Sequence, residues 1–163
     1  MEATTYLHSA FGWWKISGTD RGLTSVRFYE GTPPLSNEAT PTLLQDAARQ
    51  LDEYFRGRRT QFDLPLDLSG HSTFYRNVWA KLQAIPYGQT TSYGKIATDL
   101  GDKNAMRAVG MANRNNPFAI VIPCHRCIAK SGELQGYFYG LDFKRKLLAL
   151  ENPKSFAEQG SLF

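Results

Sequence analysis

"TTSYGKIATDLGDKNAMRAVGMANRNNP", residues 90–117, decides how the second half of this chain folds. Thr91 or Ser92 can cap a short helix burying Ile96, Ala97 and Leu100. Gly101 ends that helix, Asp102 or Asn104 starts another, and Asn115-Asn116-Pro117 closes the second. Two short helices across a tight glycine turn predict a helix-turn-helix. In the second helix Ala105, Val109 and Ala112 recur at i, i+4 and i+7 as a small apolar face. Lys103, Arg107 and Arg114 lie on or near the opposite side, with Gly110 and Met111 between them. Such a helix can approach a duplex closely; the plainer alternative is a solvated charged face.

Upstream, Phe74, Val78 and Leu82 repeat every four residues with Trp79 alongside, predicting a helix from Thr73 that stops before Pro86-Tyr87-Gly88. "DLSGHS", residues 67–72, reads as a linker, so the expected domains are 1–70 and 71–163. The first is expected to be α/β. "GWWKISG" and "GLTSVRFYE" read as strands joined by a polar turn. Thr40 can cap a helix with Pro41 in its first turn and Leu44, Leu51 and Phe55 on one face. "RRTQFDLPLDLSG" resumes extended structure, Pro65 favouring an edge. Its acidic residues make no obvious metal site and His8 has no evident partner, so the expected role is scaffold.

The charge is divided along the same line. Residues 1–70 carry 7 Lys/Arg against 9 Asp/Glu, whereas residues 71–163 carry 12 against 6. A basic C-terminal half suits a polyanionic partner. No apolar run approaches the roughly 18 residues that cross a bilayer, and the N-terminus lacks an export pattern. Two cysteines three residues apart are not a disulfide framework, which suggests a reducing, cytosol-like compartment.

Downstream, "AIVIPCHRCIAK", residues 119–130, is a strand-like apolar run cut off by Pro123. It delivers Cys124, His125 and Arg126 in succession, with Cys127 behind them. A thiol becomes a nucleophile as thiolate, which an adjacent base favours. Consecutive side chains of a strand point opposite ways, so the pair needs a turn beginning at Pro123 or a bridging water. The imidazole also needs a carboxylate on its other nitrogen. Glu151 is the attractive choice, at the end of a helix "DFKRKLLALE" with Phe143, Leu147 and Leu150 inward; Glu133 and Asp142 are rivals. Cys124 and Cys127 also form a CxxC, but a redox CxxC opens a helix, and the following residues look like a strand end and turn. Two thiols and one histidine leave a metal site incomplete.

These segments resemble the O6-alkylguanine-DNA alkyltransferases, the methylated-DNA–protein-cysteine methyltransferases. "FYRNVWAKLQAIPYGQTTSYGKIA", "MRAVGMANRNNPFAIVIPCHR" and "GYFYGLDFKRKLLALE" carry the resemblance closely over residues 74–151 and more loosely upstream. It implies a ribonuclease-H-like α/β domain followed by a winged-helix-like domain that flips the damaged guanine and binds DNA through the minor groove. It implies one irreversible transfer per molecule from O6-alkylguanine, O4-alkylthymine being the related lesion, with no metal or organic cofactor. A monomer in the cytoplasm or on the nucleoid, or in the nucleus of a eukaryote, is implied as well. By the same resemblance Cys124 is the alkyl acceptor, His125 its water-mediated base, and Glu151 the orienting carboxylate. Asn116 braces the turn, Arg107 enters the emptied stack, Tyr93 approaches guanine N3, and Tyr137 walls the base pocket. Two departures stand out. Cys127 replaces the usual valine, so it is either a partner for a disulfide or a small packed hydrophobe. Phe138 and Tyr139 add bulk to the pocket loop.

Overall fold

The computed structural model describes residues 1–128 and 140–156, and its contacts separate two compact units. Unit one comprises Met1–Ser69 with Pro117–Val121; unit two comprises Gly70–Asn116 with Ile122–Phe163.

In unit one, β1 (Ala3–Ser9), β2 (Gly12–Thr19) and β3 (Gly22–Tyr29) form an antiparallel sheet in that order. Trp14 and Ile16 of β2 and Leu23 and Val26 of β3 are fully buried. They meet the apolar face of α1 (Thr42–Phe55), which carries Leu44, Ala47, Leu51, Tyr54 and Phe55 inward. Thr40 does not cap this helix by its side chain; Pro41 holds the N-cap position, and the Gln45 amide donates to the Thr40 carbonyl instead.

The free edge of β3 is covered rather than left open. Leu23 N–H donates to Pro65 O at 2.8 Å and Asp67 N–H to Leu23 O at 2.8 Å. Further along, Val26 N–H donates to Pro117 O at 2.9 Å and Ala119 N–H to Val26 O at 3.0 Å. Each stretch makes a single bridge, Leu66 and Phe118 being the paired residues, so 65–67 and 117–119 are edge covers and not strands. An unpaired edge invites other chains, and these two segments close it.

In unit two, α2 (Thr73–Gln83) is capped by Ser72, whose Oγ accepts from Tyr75 N–H at 3.1 Å. Two-residue strands β4 (Thr91–Ser92) and β5 (Cys127–Ile128) pair in parallel. Ser92 then caps α3 (Tyr93–Asp99), accepting from Lys95 N–H at 3.1 Å. After the Gly101 turn comes α4 (Met106–Arg114), whose N-cap is Ala105, without a side-chain cap. Val109 and Ala112 are buried as the periodicity predicts, and Ala105 is half-buried. Trp79 Nε1–H donates to Ala112 O at 2.9 Å, both groups buried, and this bond fixes α4 against α2. The last long helix is α5 (Leu141–Glu151), followed by α6 (Pro153–Phe156). No described helix is long and apolar enough to cross a membrane.

Candidate active site

Pro123 sits at φ −79°, ψ 67°, and Cys124 N–H donates to Ile122 O at 2.7 Å, an inverse γ-turn. Cys124–Arg126 then form one turn of 3₁₀ helix, closed by Arg126 N–H to Pro123 O at 3.0 Å. With three residues per turn, successive side chains leave the axis about 120° apart, so the thiol, imidazole and guanidinium diverge. The turn that the Cys-His pair requires is present, and it begins at Pro123.

His125 and Arg126 converge on one carboxylate. His125 Nε2 lies 2.6 Å from Glu151 Oε2. Arg126 Nε donates to Oε1 at 2.8 Å and Nη2 to Oε2 at 3.2 Å, while Nη1 donates to Ile85 O at 2.8 Å. All three side chains are buried. Asp142 is exposed and pairs with Arg145, and Glu133 lies outside the described residues, so Glu151 is the carboxylate on His125. His125 Nδ1 is buried with no hydrogen-bond partner.

Burial lowers the His125 pKa against the pull of Glu151, which leaves the imidazole neutral at rest. Burial would raise the Glu151 pKa, but His125 and Arg126 outweigh it and hold the group at about 2. Because the resting imidazole is neutral, Arg126 is the permanent counter-charge of this carboxylate.

α5 supplies more than Glu151. Its buried stripe is Lys144, Leu147, Leu148 and Glu151, the i, i+3, i+4, i+7 pattern, whereas Phe143 and Leu150 are only half-buried. The inward face is therefore rotated from the predicted one. Lys144 Nζ donates to Cys127 O at 2.6 Å, and burial lowers the Lys144 pKa against both thiols. The C-terminal end of α5 meets the Pro86–Gly88 turn. Gly88, at φ +81°, leaves no room there, since a Cβ would stand 3.3 Å from Glu151 O.

The Asn116 amide donates to Ile122 O at 2.8 Å, tying together the two ends of the Pro117–Val121 excursion. Tyr93 opens α3 directly after the strand paired with β5, and burial followed by the nearby thiols pushes its hydroxyl up to about 12. Cys127 is fully buried, and burial pushes its thiol up to about 12 despite Lys144. Lys103, Arg107, Met111 and Arg114 are exposed on α4 and its lead-in, and the space where a Gly110 side chain would stand is open. Tyr137, Phe138 and Tyr139 lie outside the described residues. Among the described residues no three potential ligands gather as a metal site.

Sequence reasoning gave no role to Arg126 or Lys144. The signal for Lys144 was its place in the apolar stripe of α5 that ends at Glu151, and its charge hid it. Nothing local marks Arg126, whose partners are 41 and 25 residues away in sequence.

The chain matches known proteins across both units. Residues 3–68 match the family described as 6-O-methylguanine DNA methyltransferase, ribonuclease-like domain, and residues 73–153 its DNA binding domain. A methylated-DNA–protein-cysteine methyltransferase of Mycolicibacterium paratuberculosis is 49% identical over 150 residues, 90% of each chain. One of Methanosarcina acetivorans is 44% identical over 140 residues, 83% of this chain and 89% of that one. Among solved structures, Mycobacterium tuberculosis OGT in complex with DNA has a TM-score of 0.81 at 44% identity, covering 91% of this chain and 92% of that one. The ribonuclease-like and DNA-binding pair of domains is thus shared from end to end, and the chain belongs to the 6-O-methylguanine DNA methyltransferase family.

Proposed function

We propose that this chain is a stoichiometric DNA-repair protein that moves the alkyl group of O6-alkylguanine in duplex DNA onto Cys124. The observation that carries the reading is the His125–Glu151 pair behind Cys124: a buried neutral imidazole held at 2.6 Å by a carboxylate, with Nδ1 unclaimed by protein. That nitrogen can take the thiol proton through a water, and Glu151 stabilises the imidazolium that results. The thiolate sulfur then attacks the alkyl carbon as the carbon–O6 bond breaks. The electron pair passes into the purine, and Tyr93, whose raised pKa keeps its proton at neutral pH, donates to N3 so that guanine leaves neutral. The tyrosine recovers a proton from the imidazolium side or from water. The thioether has no route back to thiol, so each molecule acts once. The chemistry requires neither metal nor organic cofactor.

α4 is the DNA-binding helix in this reading. Arg107 and Arg114 are exposed on it and Lys103 on its lead-in, and the basic half of the chain contains it. Arg107 fills the stack position that the extruded guanine leaves, entered from the minor groove, and Asn116 holds the turn in register. Three antiparallel strands followed by a helix support a ribonuclease-H-like scaffold. The α2–α3–α4 set with its short β4–β5 ladder supports a winged-helix-like partner. A monomer acting in the cytoplasm or on the nucleoid suits this division. A thiol–disulfide function is disfavoured by the full burial of Cys127 and by its thiol being held protonated.

Intact-protein mass after incubation with duplex containing O6-methylguanine tests the reading. Cys124 should gain about 14 Da, a methyl for a proton, with the yield levelling at one lesion per protein. Continued turnover, or label on Cys127, overturns it.

A further inference from the structure

Two of the chain's three methionines, Met106 and Met111, stand on α4 at 50% and 51% exposure. Among the described residues the other exposed large hydrophobics are Met1 and Leu35, both in unit one. Among its described residues, unit two thus places its exposed large hydrophobics on the helix that carries Arg107 and Arg114. With about 100° of rotation per residue and Met106 as origin, Gly110 lies near 40°, Arg114 near 80°, Arg107 near 100° and Met111 near 140°. Exposed Ala108 follows near 200°, and the buried Val109, Ala112 and Asn113 take the opposite side, so the arginines lie between the two thioethers, Met106 at one edge of the outward face and Met111 near its middle. Between Met106 and the arginines the face is hollow, because nothing approaches the Gly110 side-chain position within 4 Å. Met106 also reaches α3: its Sδ lies 3.6 Å from where a Gly94 Cβ would stand, beside Tyr93.

We infer that Met106 and Met111 are apolar rails for the duplex, packing against the sugar edges of its groove on either side of Arg107. The inference rests on α4 being the DNA-binding helix. Charge complementarity brings the two surfaces together, but phosphate attraction is long-ranged and leaves the helix free to slide. Deoxyribose is the apolar surface that groove walls offer. Methionine is unbranched, polarizable and adaptable, and is among the side chains that wedge into minor grooves. Short-ranged contacts on both sides of Arg107 hold it aimed between bases.

Apolar contact releases no counterions, which separates it from the basic contribution. Binding of the full chain to an undamaged duplex of about two helical turns is followed by anisotropy over a series of KCl concentrations. M106A/M111A should give a line parallel to wild type but displaced to roughly tenfold weaker affinity. M106Q/M111Q, which keeps the length and loses the apolar surface, should follow it, so the outcome holds even if the alanine pair folds poorly. M106L/M111L should bind within about twofold of wild type, and R107A/R114A should flatten the salt slope by roughly two. Alanine and glutamine pairs that bind like wild type, a leucine pair as weak as they are, or a changed slope in any methionine variant overturns the inference. A wild type without salt-dependent binding sinks the DNA-helix reading itself.

Discussion

Glu151 holds two neighbours at once, and that determines what its removal does. Glu151→Gln leaves the Arg126 guanidinium buried beside no carboxylate, a change that costs about 3–5 kcal/mol. The urea midpoint should fall accordingly, so the substitution is not a clean probe of the base. The pH profile of Cys124 alkylation by iodoacetamide reads the other partner, and should move to higher pH in the same variant. Acid dependence follows from two lowered pKa values. Below its ordinary 6.5 the unfolded His125 binds a proton that the buried imidazole refuses, so stability declines as pH falls from there. Glu151 contributes stability that is complete above its ordinary 4.5 and fades as pH approaches about 2. Urea midpoints taken from about pH 8 to about pH 3 should drop in two stages, and Glu151→Gln should lack the second. At Cys127 the structure favours packing over pairing. Cys127→Val should remain active and lose activity to peroxide as irreversibly as wild type; a reductant-reversible loss confined to wild type would show a disulfide instead.

At the scale of elements, the bond from Trp79 to the Ala112 carbonyl joins two helices through residues 33 positions apart in sequence. Trp79→Phe fills much of the same space but orphans a buried carbonyl. It should cost about 1–3 kcal/mol in urea unfolding, with repair of duplex falling more than the affinity for free base. Elements whose packing is local were legible in the sequence: α2, α3 and α4 followed from periodicity and from turn residues at their ends. β1 passed unread because its burial alternates only weakly, its inward residues being half-covered. The run before Cys124 misled for a definite reason. Its residues are apolar because they are buried, yet they meet β3 through one bridge, and Ile120 turns the chain at φ +73° with Val121 N–H bonded to Ala119 O. A β-branched residue in that conformation is strained, and no pattern of hydrophobicity announces it. In α5 the helix was legible and its facing was not, since two of its four inward positions are charged.

For the whole molecule, the feature with widest reach is the excursion of Pro117–Val121 into unit one. A fragment of residues 70–163 would carry Phe118 and Ile120, both buried in the full chain, without the sheet that covers them. It should be less soluble than the full chain and bind a hydrophobic dye, which light scattering and fluorescence would report. The same excursion sets an order of events during synthesis. N-terminal domains ordinarily fold as they leave the ribosome, but here the Val26 part of the β3 edge waits for residues made nearly fifty positions after Ser69. At about 5–20 residues per second that interval lasts roughly 2–10 s. Through it the nascent chain holds the Val26 part of its sheet edge open, in need of chaperone shielding, until the segment that covers it emerges just ahead of Cys124.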